Sequence, residues 1–251
     1  MSTNLLILAG TLEARALAGA VAERGVRATV SFAGRVARPA PYDLPQRIGG
    51  FGGALGLARY LAEEEISHVI DATHPFAAQM SRNAVAACAE AGVPLIALTR
   101  PPWREEPGDD WLRVADVAGA VAALDQPRRN VMLAVGRMHL AEFAANPRHR
   151  YLLRLVDPPA GPLPFPEAEV LVARGPFEEA SDRALMKTRK IDLVVSKNGG
   201  GAGAYAKIAA ARSLGLPVVM IDRPPQPERR EVHDVEAVFD WLSHAGADLG
   251  V

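Results

Sequence analysis

The chain has one cysteine in 251 residues, Cys88. A lone thiol excludes an intrachain disulfide framework and a cysteine-built metal centre. Its surroundings, Ala84-Val85-Ala86-Ala87-Cys88-Ala89, are apolar, so it reads as a small core residue. Lysine is nearly as scarce. Of 28 basic residues, four are lysines (Lys187, Lys190, Lys197, Lys207) and the other 24 are arginines. Net charge is missing too, at −1, which removes the global basic field that recruits nucleic acid. No uninterrupted apolar run reaches the ~18 residues of a transmembrane helix. Met1-Ser2-Thr3-Asn4 lacks the charged start of a secretory signal. No metal, nucleic-acid partner or membrane is therefore expected, and a reduced cytoplasmic location is the default. No clear heptad appears, and a monomer is the favoured state.

What is present is an ordinary globular composition, 49% hydrophobic and 23% charged. Short apolar runs alternate with helical patterns. Strands are expected at 5–9, 26–32, 46–48, 68–71 and 93–98, with helices at 12–24, 55–65 and 76–91. That is the rhythm of a doubly wound parallel sheet. The rhythm then restarts with a helix near 116–124 and a polar break at 126–130. Strands follow at 131–136, 151–156, 170–173, 191–196 and 217–221, and helices near 139–146, 178–190, 203–214 and 234–244. The expected class is α/β: two Rossmann-like three-layer domains, 1–125 and 126–251, with mainly parallel sheets and a cleft between them.

The first strand runs into Ala9-Gly10-Thr11-Leu12-Glu13. Glycine at a strand-to-helix turn lets backbone approach a ligand, and the amides that follow point along a helix N-terminus, where an anion is stabilised. Gly10, Thr11, Leu12 and Glu13 are thus candidate cofactor contacts, Thr11 also through its hydroxyl. The full G-x-G-x-x-G fingerprint is absent, so a plain turn stays open. About 20 residues on, where a NAD-binding chain carries an acid, stand Ser31, Gly34 and Arg35. A hydroxyl and a guanidinium suit a 2′-phosphate, which favours NADP(H) over NAD(H). Gly49-Gly50-Phe51-Gly52-Gly53 has four glycines in five positions, and Gly50, Phe51 and Gly52 read as backbone laid against a flat ligand. Thr73 and His74 follow the strand ending at Asp71 and are candidates to touch the cofactor. His74 is the candidate for a chemical role, as orienting group or acid.

The second half carries Ser196-Lys197-Asn198-Gly199-Gly200-Gly201. It departs from G-x-x-x-x-G-K-[ST], which disfavours a nucleoside triphosphatase. Lys197 and Asn198 on an amide-rich turn, with Arg137 after Gly136 and Arg174 after another strand, suit a carboxylate-bearing ligand.

Taken together, the stretches at 6–15, 31–35, 49–53, Asp-Ala-Thr-His-Pro-Phe-Ala at 71–77, Arg-Pro-Pro-Trp at 100–103 and Ser-Lys-Asn-Gly-Gly-Gly at 196–201 resemble the precorrin-6A reductase family of cobalamin biosynthesis. The resemblance runs from residue 5 to about 225. The family loop often reads Ser-Lys-Asn-Ser-Gly-Gly, and here Gly199 takes the serine position. The resemblance implies NADPH as cofactor, with a hydride to carbon 19 and a proton to carbon 18 of precorrin-6A, giving precorrin-6B. It implies a tetrapyrrole fringed with carboxylates, for which Arg104, Arg137, Arg174, Lys197, Asn198, Gly199 and Gly200 become candidate contacts. Trp103 is a candidate to stack on the macrocycle. The cobalt-containing analogue as substrate, and a non-catalytic NADP(H)-binding protein, remain alternatives.

Overall fold

In the computed structural model, residues 3–32, 41–159 and 161–245 are described. Asn4-Leu5-Leu6-Ile7-Leu8 forms β1, and all five residues are buried. A strand covered on both faces needs helices above and below, as the neighbours of a central parallel strand provide. Then come α1 (Leu12–Glu23), β2 (Arg27–Phe32), β3 (Gln46–Ile48), α2 (Gly53–Glu63), β4 (His68–Asp71), α3 (Ala78–Ala91) and β5 (Leu95–Leu98). The second series is β6 (Trp111–Val114), α4 (Val117–Ala123), β7 (Asn130–Ala134), a 3₁₀ turn at Arg137–His139, α5 (Leu140–Phe143), β8 (Arg150–Leu155), β9 (Ala168–Val172), α6 (Glu179–Thr188), β10 (Leu193–Lys197), α7 (Ala206–Ser213) and β11 (Val218–Ile221). The chain ends in β12 (Glu231–Val232) and α8 (Val235–Ala245).

Two six-stranded sheets result, in the orders β12-β5-β4-β1-β2-β3 and β6-β11-β10-β7-β8-β9. Every pairing is parallel. Both sheets are doubly wound about a central strand, β1 or β7. The order reverses beside that strand, and this is where such sheets leave a crevice at their carboxyl edge.

The division of the chain differs from the expected boundary near residue 125. One unit holds residues 1–101 and 225–251, the other 102–224. The sixth strand of each sheet comes from beyond a crossing: β6 pairs with β11, and β12 returns to pair with β5. Arg-Pro-Pro stands at both crossings, at 100–102 and 223–225. Paired prolines hold the backbone extended and remove two amide donors, so neither sheet nor helix continues through them.

Each unit has its own core. In the first, Leu5, Ile7, Leu17, Val21 and Val30 pack on one face, joined by Val238 and Trp241 of α8. On the other face Leu6, Leu57, Leu61, Ala84 and Cys88 pack together. Cys88 is the core residue expected of it, and burial, then the nearby Asp71 carboxylate, pushes its thiol up to about 12. In the second unit Met132, Met186, Val194, Ile208 and Met220 fill the sheet-to-helix layer.

Candidate functional site

At the carboxyl edge of the first sheet, Gly10 has φ +155°, and a side-chain carbon there would point at the His74 amide 3.8 Å away. Thr11 caps α1: its hydroxyl accepts from Ala14 N at 3.1 Å and donates to Ala72 O at 2.9 Å. The hydroxyl proton expected for a pyrophosphate is therefore committed to the next loop. What α1 offers an anion is the first-turn amides of Leu12 and Glu13, which have no intrahelical acceptor. The Glu13 carboxylate receives Arg100 Nη1 at 2.5 Å.

Ser31, near the end of β2, is buried, and its register partner on β3 is Arg47. Arg47 Nη1 donates to Ser31 Oγ at 3.1 Å and to Gly49 O at 3.0 Å, and Nη2 donates to Gly50 O at 3.3 Å. Its guanidinium lies 3.8 Å over the Phe51 ring and 5.1 Å from that of Tyr60. Phe51 thus supports a cation, and Gly52 is the N-cap of α2. Gly34 and Arg35 lie outside the described residues.

After β4 the backbone turns under the control of one carboxylate. Asp71 Oδ1 accepts from Thr73 N at 3.1 Å and Thr73 Oγ1 at 2.7 Å. Its Oδ2 accepts from Ser81 Oγ at 2.6 Å and Arg229 Nη1 at 2.5 Å. The Thr73 hydroxyl, like that of Thr11, spends its proton within the protein. Phe76 N–H donates to His74 Nδ1 at 3.2 Å, which in the neutral ring puts the proton on Nε2.

In the second unit, Lys197 is the last residue of β10, and Arg137, Arg174 and Asn198–Gly200 follow the carboxyl ends of their strands. Arg137 is exposed, and Arg174 donates to Asp157 at 2.7 Å. Asn198 is buried, and both ends of its amide are used by one peptide segment. Trp103 N donates to its Oδ1 at 2.8 Å, and its Nδ2 donates to Trp103 O at 2.9 Å. Its side chain therefore positions the segment 103–104 beside the glycine loop rather than reaching for a ligand, and leaves Arg104 exposed there. Trp103 is held the same way: its Nε1 donates to Gly201 O at 2.7 Å, with Lys207 Nζ 4.8 Å from the ring. Arg223 closes the loop from behind, donating to Asn198 O at 3.0 Å and Gly199 O at 3.1 Å.

Sequence reasoning missed Arg47, Ser81, Arg100, Arg223 and Arg229. The repeated Arg-Pro-Pro was a signal for two of them. Arg100 anchors to Glu13 after the first glycine turn, and Arg223 to the second glycine loop.

The donors of the first unit fit a phosphate-bearing dinucleotide: a capped helix start beside Gly10, and a guanidinium next to a hydroxyl at the end of β2. The edge of the second unit offers arginine, lysine and backbone amides suited to carboxylates.

The model of the family described as "Precorrin-6x reductase CbiJ/CobK" matches residues 4–243. A protein of Rhodobacter capsulatus named precorrin-6A reductase is 56% identical over 245 residues, 98% of each chain. One of the same name from Sinorhizobium sp is 47% identical over 243 residues, 96% of this chain and 93% of that one. A solved structure titled "CobK precorrin-6A reductase" superposes with a TM-score of 0.94 at 56% identity, covering 97% of both chains. Among the described residues, no helix is long and apolar enough to cross a membrane.

Proposed function

The chain belongs to the precorrin-6x reductase family, and on that premise we propose that it reduces precorrin-6A to precorrin-6B in cobalamin biosynthesis, using NADPH. The observation that carries the reading is the full-length likeness to proteins of that name. When bound, NADPH supplies the hydride that reaches carbon 19 of the macrocycle, and a proton at carbon 18 completes the reduction.

The first unit is the cofactor-binding one. Its helix-start amides at Leu12 and Glu13 neutralise pyrophosphate charge, and Gly10 lets backbone come close. Asp71 orients Thr73, and the Thr73–Phe76 turn presents the Nε2–H of His74. The second unit contributes to holding the substrate. Arg104, Arg137, Arg174 and Lys197 pair with acetate and propionate carboxylates, while Gly199 and Gly200 offer backbone. Asn198 and Trp103 act through the shape of the loop. Catalysis is then chiefly orientation of reacting carbons in a held geometry, with the field of the cationic edge.

The test is turnover of precorrin-6A by the purified protein without oxygen, followed by loss of NADPH absorbance and product mass. The expected result is a product heavier by one hydride and one proton, formed faster with NADPH than with NADH. Cobalt-containing precorrin-6A is the comparison substrate. Cofactor binding without turnover of either substrate overturns the assignment.

A further inference from the structure

We propose that Arg47 selects the 2′-phosphate of the dinucleotide. The inference rests on the NADPH reading above. The sequence pointed to Arg35, which lies outside the described residues, and among the described residues the guanidinium at the end of β2 is that of Arg47.

Three observations carry it. Ser31 and Arg47 are register partners on neighbouring parallel strands, so both side chains stand on one face at the sheet's carboxyl edge. In a doubly wound sheet of this order the end of the strand following the glycine turn is where the adenosine ribose is read. The guanidinium is also already set in place. The rings of Phe51 and Tyr60 lie beside it, and it donates to Ser31 Oγ, Gly49 O and Gly50 O. These bonds use three of its five N–H donors, and Ser31, accepting from Arg47, keeps its own proton out of that bond. A fixed cation beside a hydroxyl, with no carboxylate on the β2 strand end Ser31-Phe32, matches a phosphate monoester and disfavours a bare 2′-hydroxyl. Arg47 also ties the phosphate contact to the glycine turn, since the same group holds two of the turn's carbonyls.

The competing role is a strut for that turn alone, and a binding measurement separates the two. The probes are 2′,5′-ADP and ADP, titrated by calorimetry against wild type, Arg47→Ala and Arg47→Lys. Wild type is expected to prefer 2′,5′-ADP. Arg47→Ala is expected to weaken 2′,5′-ADP by about 10- to 100-fold, the loss of a charge-assisted pair, and ADP by less than about threefold. Arg47→Lys keeps the charge without the fork and falls between, which decides the matter if the alanine variant unfolds. An equal loss of both probes makes Arg47 a strut and overturns the proposal, as does a preference that survives in Arg47→Ala. If wild type itself binds the two probes equally, it is the NADPH reading that fails, whatever Arg47 does.

Discussion

Arg229 donates through Nη1 to Asp71 Oδ2 at 2.5 Å, joining residues 158 positions apart, with 6% and 1% of their side chains exposed. The segment that returns after the second crossing thus locks onto the carboxylate that shapes the Thr73–His74 turn. Truncating one partner of a buried pair leaves the other charge unpaired in a dry site. Arg229→Ala is therefore expected to lower stability by about 3–5 kcal/mol. Urea unfolding checks it. Replacing both partners with apolar residues of similar size should recover part of the loss, and a double variant as weak as the sum of the singles would show that the pair does not act as a unit.

His74 faces a different test. Its Nδ1 is held by the Phe76 amide, so the ring is an oriented donor within a turn. His74→Ala is expected to lower turnover by no more than about tenfold, below the 10²–10⁴ typical of a lost general acid. Loss of all turnover with NADPH binding intact would promote His74 to proton donor.

Alkaline pH offers a readout of the core. Burial pushes the Cys88 thiol from 9.0 to about 12 and the Tyr151 phenol from 10.0 to about 12. Below 9.0 both groups are protonated in folded and unfolded chain alike, and the full stability is present. As pH rises from there towards 12 the unfolded chain releases protons that the folded chain keeps. Stability then falls by up to ~1.4 kcal/mol per pH unit for each group. Urea midpoints across this range measure the slope. Cys88→Ala should flatten it from its onset near 9.0, and an unchanged slope would remove the thiol from the explanation.

The three-residue β3 was read as a short strand without an apolar run, and nine other strands were legible because their apolar runs are long enough to carry a pattern. β6 and β12 were not. β6 reads half-buried and exposed along its four residues, and β12 has two. Their place is set by the neighbouring β11 and β5, which sequence does not show. For the same reason the domain boundary was misplaced although Arg-Pro-Pro marked both crossings. At the site, sequence identifies donors and not their partners. Thr11, Thr73 and Asn198 stand at the expected edges, and their polar atoms are committed to Ala72, Asp71 and Trp103. Asp71 could be read as a buried strand end, but not as the acceptor of a guanidinium from the far end of the chain.

Two helical glycines make opposite predictions from one propensity. In an isolated helix, glycine to alanine is favourable by up to ~1 kcal/mol at either position. On α1, Gly19 has open space where a side-chain carbon would go, so Gly19→Ala should stabilise by about 0.4–1 kcal/mol. On α2, the same carbon at Gly56 would sit 1.7 Å from the Phe51 carbonyl oxygen and 2.8 Å from its carbon. A backbone carbonyl cannot swing aside like a side-chain tip, so the turn or the helix must move. Overpacking of this kind costs about 1–3 kcal/mol, which exceeds the propensity gain. Gly56→Ala is expected to destabilise, and because Phe51 lies under Arg47 at 3.8 Å, to weaken 2′,5′-ADP binding as well. Thermal unfolding of both variants decides the signs, and a stabilised Gly56→Ala would mean that the turn at Phe51 yields freely and Arg47 is not held by it.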